Sequence, residues 1–214
     1  MGSLLAIEGI DGAGKTTQAA RLAQALTERG YDVLATREPG GTYIGDRIRT
    51  LLKDAVHRSR MDSLTSLLLF NAARRQWLHE VVHPALAEGK VVVTDRSYFS
   101  TLAYQGYGER LRLELVSSLC HEVMGTTHID KVFLLDIPCE EMKRRLSARG
   151  GDRYEEMDLD FHERVRKGFL IEAAARPQLV QIIDGSRSEE EIAQELLSHA
   201  LSALGAPQLK GETS

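Results

Sequence analysis

The chain has 214 residues, 43% of them apolar and 27% charged, with a formal net charge of −4. That size predicts one domain with a substantial core, and the acidic balance argues against a general nucleic-acid binder. No apolar run approaches the ~18 residues of a membrane span, and no basic start followed by a long apolar segment suggests a secretory leader, so neither nucleic acid nor membrane is an expected partner.

In chain order, residues 4–7 (Leu-Leu-Ala-Ile) read as a buried strand. Gly9-Ile10-Asp11-Gly12-Ala13-Gly14-Lys15-Thr16 then matches G-x-x-x-x-G-K-[ST] at every fixed position. A helix is expected over 17–26. Strand, glycine-rich loop and helix together are the arrangement that cradles phosphate, because backbone N–H groups and a helix N-terminus converge on the anion. In such a loop the lysine reaches the terminal phosphates of a nucleoside triphosphate, and the threonine hydroxyl is a ligand for Mg²⁺. Residues 9–17 are therefore the expected ATP-binding loop. Asp11 has three readings from its position alone: an acceptor for a sugar hydroxyl, an organiser of metal-bound water, or an unconstrained loop residue.

Further apolar runs at 33–35, 91–93, 132–135 and 179–183 alternate with helical patterns, several closed by a glycine: Gly30, Gly89 and Gly125. Alternation of this kind predicts an α/β fold: a doubly wound, parallel, five-stranded sheet with helices on both faces. Right-handed crossovers would then bring every strand's C-terminal end to one edge, where ligands bind. Residues 62–88 read as a long helical stretch in which Pro84 allows at most a short break. At 91–97, Val-Val-Val-Thr-Asp-Arg-Ser, Asp95 ends an apolar strand as a metal-holding carboxylate would. Arg96 beside it suits a second phosphate. Residues 143–167 carry eight Arg and Lys residues around Gly150-Gly151. That run reads either as a solvated face or as a lid that closes guanidinium groups over phosphates. The tail after about 204 is expected to fray. Cys120 and Cys139 have no metal spacing and suit a reducing cytoplasm. Cys139 follows Pro138 at a helix start, where a thiol pKa can fall, but a packing role is the simpler expectation.

Three segments together resemble the thymidylate kinase family. They are Ile7-Glu8-Gly9-Ile10-Asp11-Gly12-Ala13-Gly14-Lys15-Thr16-Thr17, then Arg37-Glu38-Pro39-Gly40-Gly41-Thr42, then Asp95-Arg96-x-x-x-Ser100-x-x-Ala103-Tyr104-Gln105-Gly106. The resemblance extends from Ser3 to about Leu204. It implies a single P-loop kinase domain of the nucleoside monophosphate kinase type over 1–214, with a lid at about 143–167. It also implies a homodimer and transfer of the γ-phosphate of ATP to dTMP with Mg²⁺, a step in dTTP synthesis.

By position, the resemblance implies catalytic roles for Asp11, Lys15, Arg96, Arg149 and Arg153, and metal roles for Thr16 and Asp95. The P-loop lacks arginine while the lid is rich in it, as in the bacterial lid-arginine type. The implied dTMP site comprises Asp11, Arg37, Pro39, Arg49, Phe70, Arg74, Arg96, Ser100, Thr101, Tyr104 and Gln105. Phe70 and Arg74 lie at i and i+4 of a helix expected over 63–82 and so share a face. Phe70 offers a stacking surface to a pyrimidine, and Arg74, with donors only, suits the 4-carbonyl of thymine. Ser100 and Thr101 are candidates for N3–H, and Tyr104 for the deoxyribose. A cis Glu38-Pro39 bond is implied. Ser97 departs from the family, where Tyr or His commonly follows Asp-Arg. The competing expectations are another small P-loop kinase for a nucleoside or monophosphate, and a nucleotide switch without turnover. Tyr43, Trp77 and all the histidines are assigned to packing or surface.

Overall fold

The computed structural model describes residues 2–54, 60–147, 154–155 and 157–204. Five strands form one sheet: β1 (Ser3–Glu8), β2 (Val33–Arg37), β3 (Val91–Asp95), β4 (Lys131–Asp136) and β5 (Val180–Asp184). All are parallel, in the order β2-β3-β1-β4-β5. Leu4, Leu5, Ala6, Ile7, Val92, Val93, Phe133 and Leu135 are at most 1% exposed. Unbroken apolar runs of this kind are what a strand covered on both faces requires. The edge strands are less demanding, and Ile182 of β5 stays 43% exposed. Each strand continues past its apolar run to a charged residue: Glu8, Arg37, Asp95, Asp136 or Asp184. Hydropathy alone therefore places the ends short. Parallel topology gathers all five charged ends on one edge.

The helices among the described residues are α1 (Lys15–Thr27), α2 (Tyr43–Lys53), α3 (Ser63–Trp77), α4 (His83–Ala87), α5 (Tyr98–Thr101), α6 (Leu113–Met124), α7 (Cys139–Leu146), α8 (Leu159–Ala175) and α9 (Glu189–Leu204). On one face α1 packs against α9. On the other, α8 lies over β4 and β5, and α4 over β3. The doubly wound sheet expected from the sequence is present.

The long helical stretch runs through Pro84 without a break. The turn before it, Leu78–Val82, instead widens to a π-helical turn. Proline has no N–H to give the preceding turn, and its ring crowds the carbonyl four residues back, so a wider turn relieves both. A second π-helical segment, Leu102–Gly108, follows α5. Trp77 is buried, with its Nε1 donating to Thr36 Oγ1 at 3.0 Å. It fastens α3 to β2, while Tyr43 is exposed.

Cys139 begins α7 but is buried, and burial, then a hydrogen bond to Glu163, pushes its thiol up to about 12. The helix N-terminus does not make it reactive. The lid residues Arg149, Gly150, Gly151, Asp152 and Arg153, and the tail after residue 204, lie outside the described residues.

Candidate active site

The loop after β1 is built on glycine geometry at two points. Gly9 has φ +140°, and a Cβ there would sit 2.4 Å from the Leu135 carbonyl oxygen. Gly14, at φ +91°, caps α1 with nothing within 4 Å of a would-be Cβ. The first glycine brings the loop against β4. The second leaves open space at the start of α1, where N–H groups point at an anion.

Lys15 is 6% exposed and donates to the Ile10 carbonyl at 2.7 Å. Burial, then the nearby Arg96 charge, pulls its ammonium down to about 8, against the opposite pull of Asp11 and Asp95. Thr16 Oγ1 donates to Asp95 Oδ2 at 2.5 Å, joining the P-loop to the end of β3. The other Asp95 oxygen, Oδ1, is buried with no hydrogen-bond partner. A hydroxyl beside a half-used carboxylate is a donor set that fits a hydrated Mg²⁺.

Arg96 has φ +79°, a left-handed conformation that costs a non-glycine residue about 1–2 kcal/mol. The strain aims its guanidinium back across β1. There it pairs with Asp11 Oδ1 at 2.5 Å and donates to Gly9 O at 3.2 Å and Ser100 Oγ at 2.8 Å. Tyr104 OH donates to the other Asp11 oxygen at 2.7 Å. Burial works to raise Asp11, but Arg96 and Lys15 outweigh it and hold the carboxyl well below the usual range. Asp11 is thus not an unconstrained loop residue; it is fixed between an arginine and a tyrosine.

Two cavities meet here and share Asp11, Arg49, Lys53 and Arg96. The larger, about 1340 Å³ out to its open mouth, follows the P-loop from Asp11 to Thr17 and includes Asp95. Gly9 and Ile10 support that loop from behind without lining it. The smaller, about 460 Å³, is walled by Phe70, Tyr104 and Tyr154 and floored by Ser100, Thr101 and Gln105. Pro39 closes one side, behind a Glu38–Pro39 bond that is cis. Arg49 lines both cavities and donates to the Pro39 carbonyl at 2.8 Å.

Two residues expected in the smaller cavity do not line it. Arg37 is exposed and turns to Asp46. Arg74 is 2% exposed and sits behind the wall. There its Nε pairs with Glu38 at 2.7 Å, and its Nη2 donates to Thr101 Oγ1 at 2.9 Å. Burial pushes Glu38 up, against the pull of Arg74. Thr101 therefore stands between Arg74 and the cavity.

Lining residues that the sequence reading did not assign to a site include Tyr154, Lys53, Arg187 and Arg145. Tyr154 follows the glycine pair, with no periodicity to mark it. Its hydroxyl bonds Ser66 Oγ at 2.7 Å and Gln105 Nε2 at 3.1 Å. Lys53 is simply the last residue of α2. Arg187 lines the larger cavity from the turn before α9. Arg145 was hidden in the basic run, yet Cys139, Met142 and Arg145 fall at i, i+3 and i+6, one helix face. Its guanidinium donates to Gly12 O at 3.1 Å and Gly185 O at 3.0 Å, tying the P-loop to the turn after β5.

Comparison with known proteins follows this geometry. A sequence profile described as thymidylate kinase matches residues 7–196. The chain is 41% identical over 204 residues to the thymidylate kinase of Exiguobacterium sibiricum, covering 95% of this chain and 96% of that protein. It is 46% identical over 200 residues to that of Geobacter sulfurreducens, covering 90% and 93%. The crystal structure of thymidylate kinase from Ehrlichia chaffeensis superimposes with a TM-score of 0.76 at 32% identity, covering 93% of this chain and 98% of that one.

Proposed function

Because this chain belongs to the thymidylate kinase family, we propose that its two joined cavities seat ATP and dTMP for direct transfer within one P-loop kinase domain. The reaction is transfer of the γ-phosphate of ATP to dTMP, giving dTDP and ADP. The observation that carries the site assignment is the shared rim of Asp11, Arg49, Lys53 and Arg96. It lies where a phosphoryl group would pass from the polar cleft to the aromatic-walled slot. Phosphoryl transfer asks little covalent chemistry of a protein; it asks for alignment and charge.

In this reading the P-loop amides and Lys15 hold the β- and γ-phosphates. Thr16 and Asp95 would hold Mg²⁺, which supplies positive charge between those phosphates. Arg96 takes the acceptor phosphate, exchanging part of its contact with Asp11. Asp11 then orients the acceptor's sugar end with Tyr104. Arg149 and Arg153 of the lid add charge in the transition state. Phe70 stacks the base, with Tyr154 packed beside it at a ring-centroid distance of 6.0 Å. The test is ADP release from ATP and Mg²⁺ with dTMP, dUMP, dCMP, AMP and thymidine offered separately. Turnover with thymidine or AMP, and none with dTMP, would overturn the assignment.

Base choice rests on the polar end of the slot. Arg74 fills one lone pair of Thr101 Oγ1, so the hydroxyl proton is left to point at an acceptor such as the thymine O4. Arg74→Ala should compress the dTMP:dCMP ratio of kcat/KM. It also strands Glu38 in the core, at a cost of about 3–5 kcal/mol. Thr101→Val keeps the side-chain shape, leaves Glu38 paired with Arg74 at the cost of one acceptor for its Nη2, and should compress the same ratio by roughly 10-fold or more. A ratio unchanged in both variants would remove this pair from base reading.

A homodimer is supported by apolar residues left in water. Ile44 and Leu51 of α2 and Leu64 and Leu68 of α3 are 41–52% exposed on helices that pack together. Sedimentation at twice the chain mass, lost in Leu68→Glu, is the expected result. No helix among the described residues is long and apolar enough to cross a membrane. The free, buried thiols of Cys120 and Cys139 support a reducing compartment, the cytoplasm.

A further inference from the structure

Glu8 ends β1 as a carboxylate with no exposed surface, and it lines neither cavity. Four donors converge on it. Oε1 accepts from the Ser97 amide at 2.7 Å, the Ser97 hydroxyl at 2.8 Å and the Ser100 amide at 3.1 Å. Oε2 accepts from the Ser100 hydroxyl at 2.6 Å. These donors sit just after Arg96, the residue held at φ +79°. The Ser100 hydroxyl that donates to Glu8 also accepts from Arg96 Nη1 at 2.8 Å. Carboxylate, hydroxyl and guanidinium thus form one directed chain.

We propose that Glu8 is a positioning residue for phosphoryl transfer. By holding Ser97 and Ser100, it keeps Arg96 in its left-handed conformation with the guanidinium at the mouth of the acceptor cavity. The inference rests on the reading of Arg96 as the acceptor-phosphate residue.

The chemistry requires an acceptor-only group. A carboxylate offers two oxygens and about four lone pairs to four donors. An amide of the same shape turns one oxygen into a donor. The Ser100 hydroxyl would then face donors from both that amide and Arg96, and its own proton would have no acceptor. Arg96 would lose the orientation of its partner while the β1 core stayed unchanged. Ser97 contributes two of the four donors, and its side chain alone can be removed without touching the carboxylate.

The experiment measures dTMP and ATP affinities separately by calorimetry, and melting temperature, for the wild type, E8Q, S97A, R96K and the E8Q/R96K pair. E8Q should weaken dTMP binding by roughly 10- to 100-fold, the range for a hydrogen bond to a charged group. It should leave ATP binding within about twofold, since Arg96 meets the P-loop at the Gly9 carbonyl and the Asp11 side chain and not at the N–H groups that face the phosphates. S97A should shift dTMP binding in the same direction by a smaller factor. In the R96K background, E8Q should add little, because its route is already broken. Equal losses for both nucleotides, or a lower melting temperature with unchanged dTMP affinity, would overturn the proposal. So would a full additional factor from E8Q on R96K. If E8Q does not fold, S97A without a selective dTMP loss overturns it alone. If R96K leaves dTMP affinity unchanged, the reading of Arg96 fails first, and the role of Glu8 with it.

Discussion

Lys15→Ala is expected to lower kcat by roughly 10²-fold or more while leaving the fold intact. Preorganised charge at the transferring group is usually the largest single catalytic contribution, and one donor is worth about 10²–10³ in rate. Lys15 is poised for this: buried, 2.7 Å from the Ile10 carbonyl, and at the open end of the P-loop. Its depressed pKa gives a second signature. With the ammonium at about 8, the charged form is lost as pH rises through that value. A polyphosphate binds the charged form. ATP affinity should therefore be flat below about pH 7 and fall by up to about tenfold per pH unit above about 8. Lys15→Arg, which stays charged, should flatten the profile. Near-normal turnover in a folded Lys15→Ala enzyme would remove the P-loop chemistry from this account. A pH-independent ATP affinity would show that Lys15 does not titrate in this range.

Arg96→Ala should cost roughly 10³-fold in kcat/KM for dTMP, about 10-fold or more from the lost charge-assisted contact to the acceptor phosphate and about 10²-fold from its lost alignment. Two losses combine: the acceptor phosphate has no bidentate partner, and Asp11 is left without its closest cation. Arg96 and Lys15 together keep the Asp11 carboxyl well below its ordinary value despite burial. Removing Arg96 must raise it. The group then protonates at higher pH, and the acid limb of the kcat/KM profile should move up. Arg96→Lys keeps a charge but not the planar fork, so it should restore the acid limb better than the rate. Wild-type kcat/KM in Arg96→Ala would place the acceptor phosphate elsewhere, with Arg49 and Lys53 as the remaining cations on the shared rim.

The P-loop was legible because its chemistry is local. Strand, glycine turn and helix start are consecutive, and φ +91° at Gly14 is a property of that residue type. The Asp95-Arg96 step was legible for a similar reason: a charged pair ends an apolar strand. Tyr104 and Gln105 were legible through the motif that carries them, and the structure puts both on the smaller cavity. Arg74 was legible as a residue but not as a position. The i, i+4 spacing with Phe70 places both on one helix face, yet only Phe70 reaches the cavity. Glu38, from a loop 36 residues earlier in the chain, draws Arg74 into the wall. Tyr154 and Arg187 carried no local signal, because their partners are remote in sequence.

By itself, the sequence determined the sheet class, the phosphate loop, the family and the gathering of the strands' C-terminal ends on one edge. Each depends on neighbours within a few residues: two-sided burial on apolar runs, anion binding on glycine conformations, strand direction on intervening helices. Tertiary structure alone decided which charges meet. Asp11 and Arg96 are 85 residues apart and form one ion pair. Thr16 and Asp95, 79 apart, form one candidate metal site. Ser100 and Glu8, 92 apart, are joined by one hydrogen bond from hydroxyl to carboxylate. Electrostatic and hydrogen-bond energies fall steeply with distance in space and are blind to distance along the chain. Only the folding of five strand ends onto one edge could turn separate residues into a site.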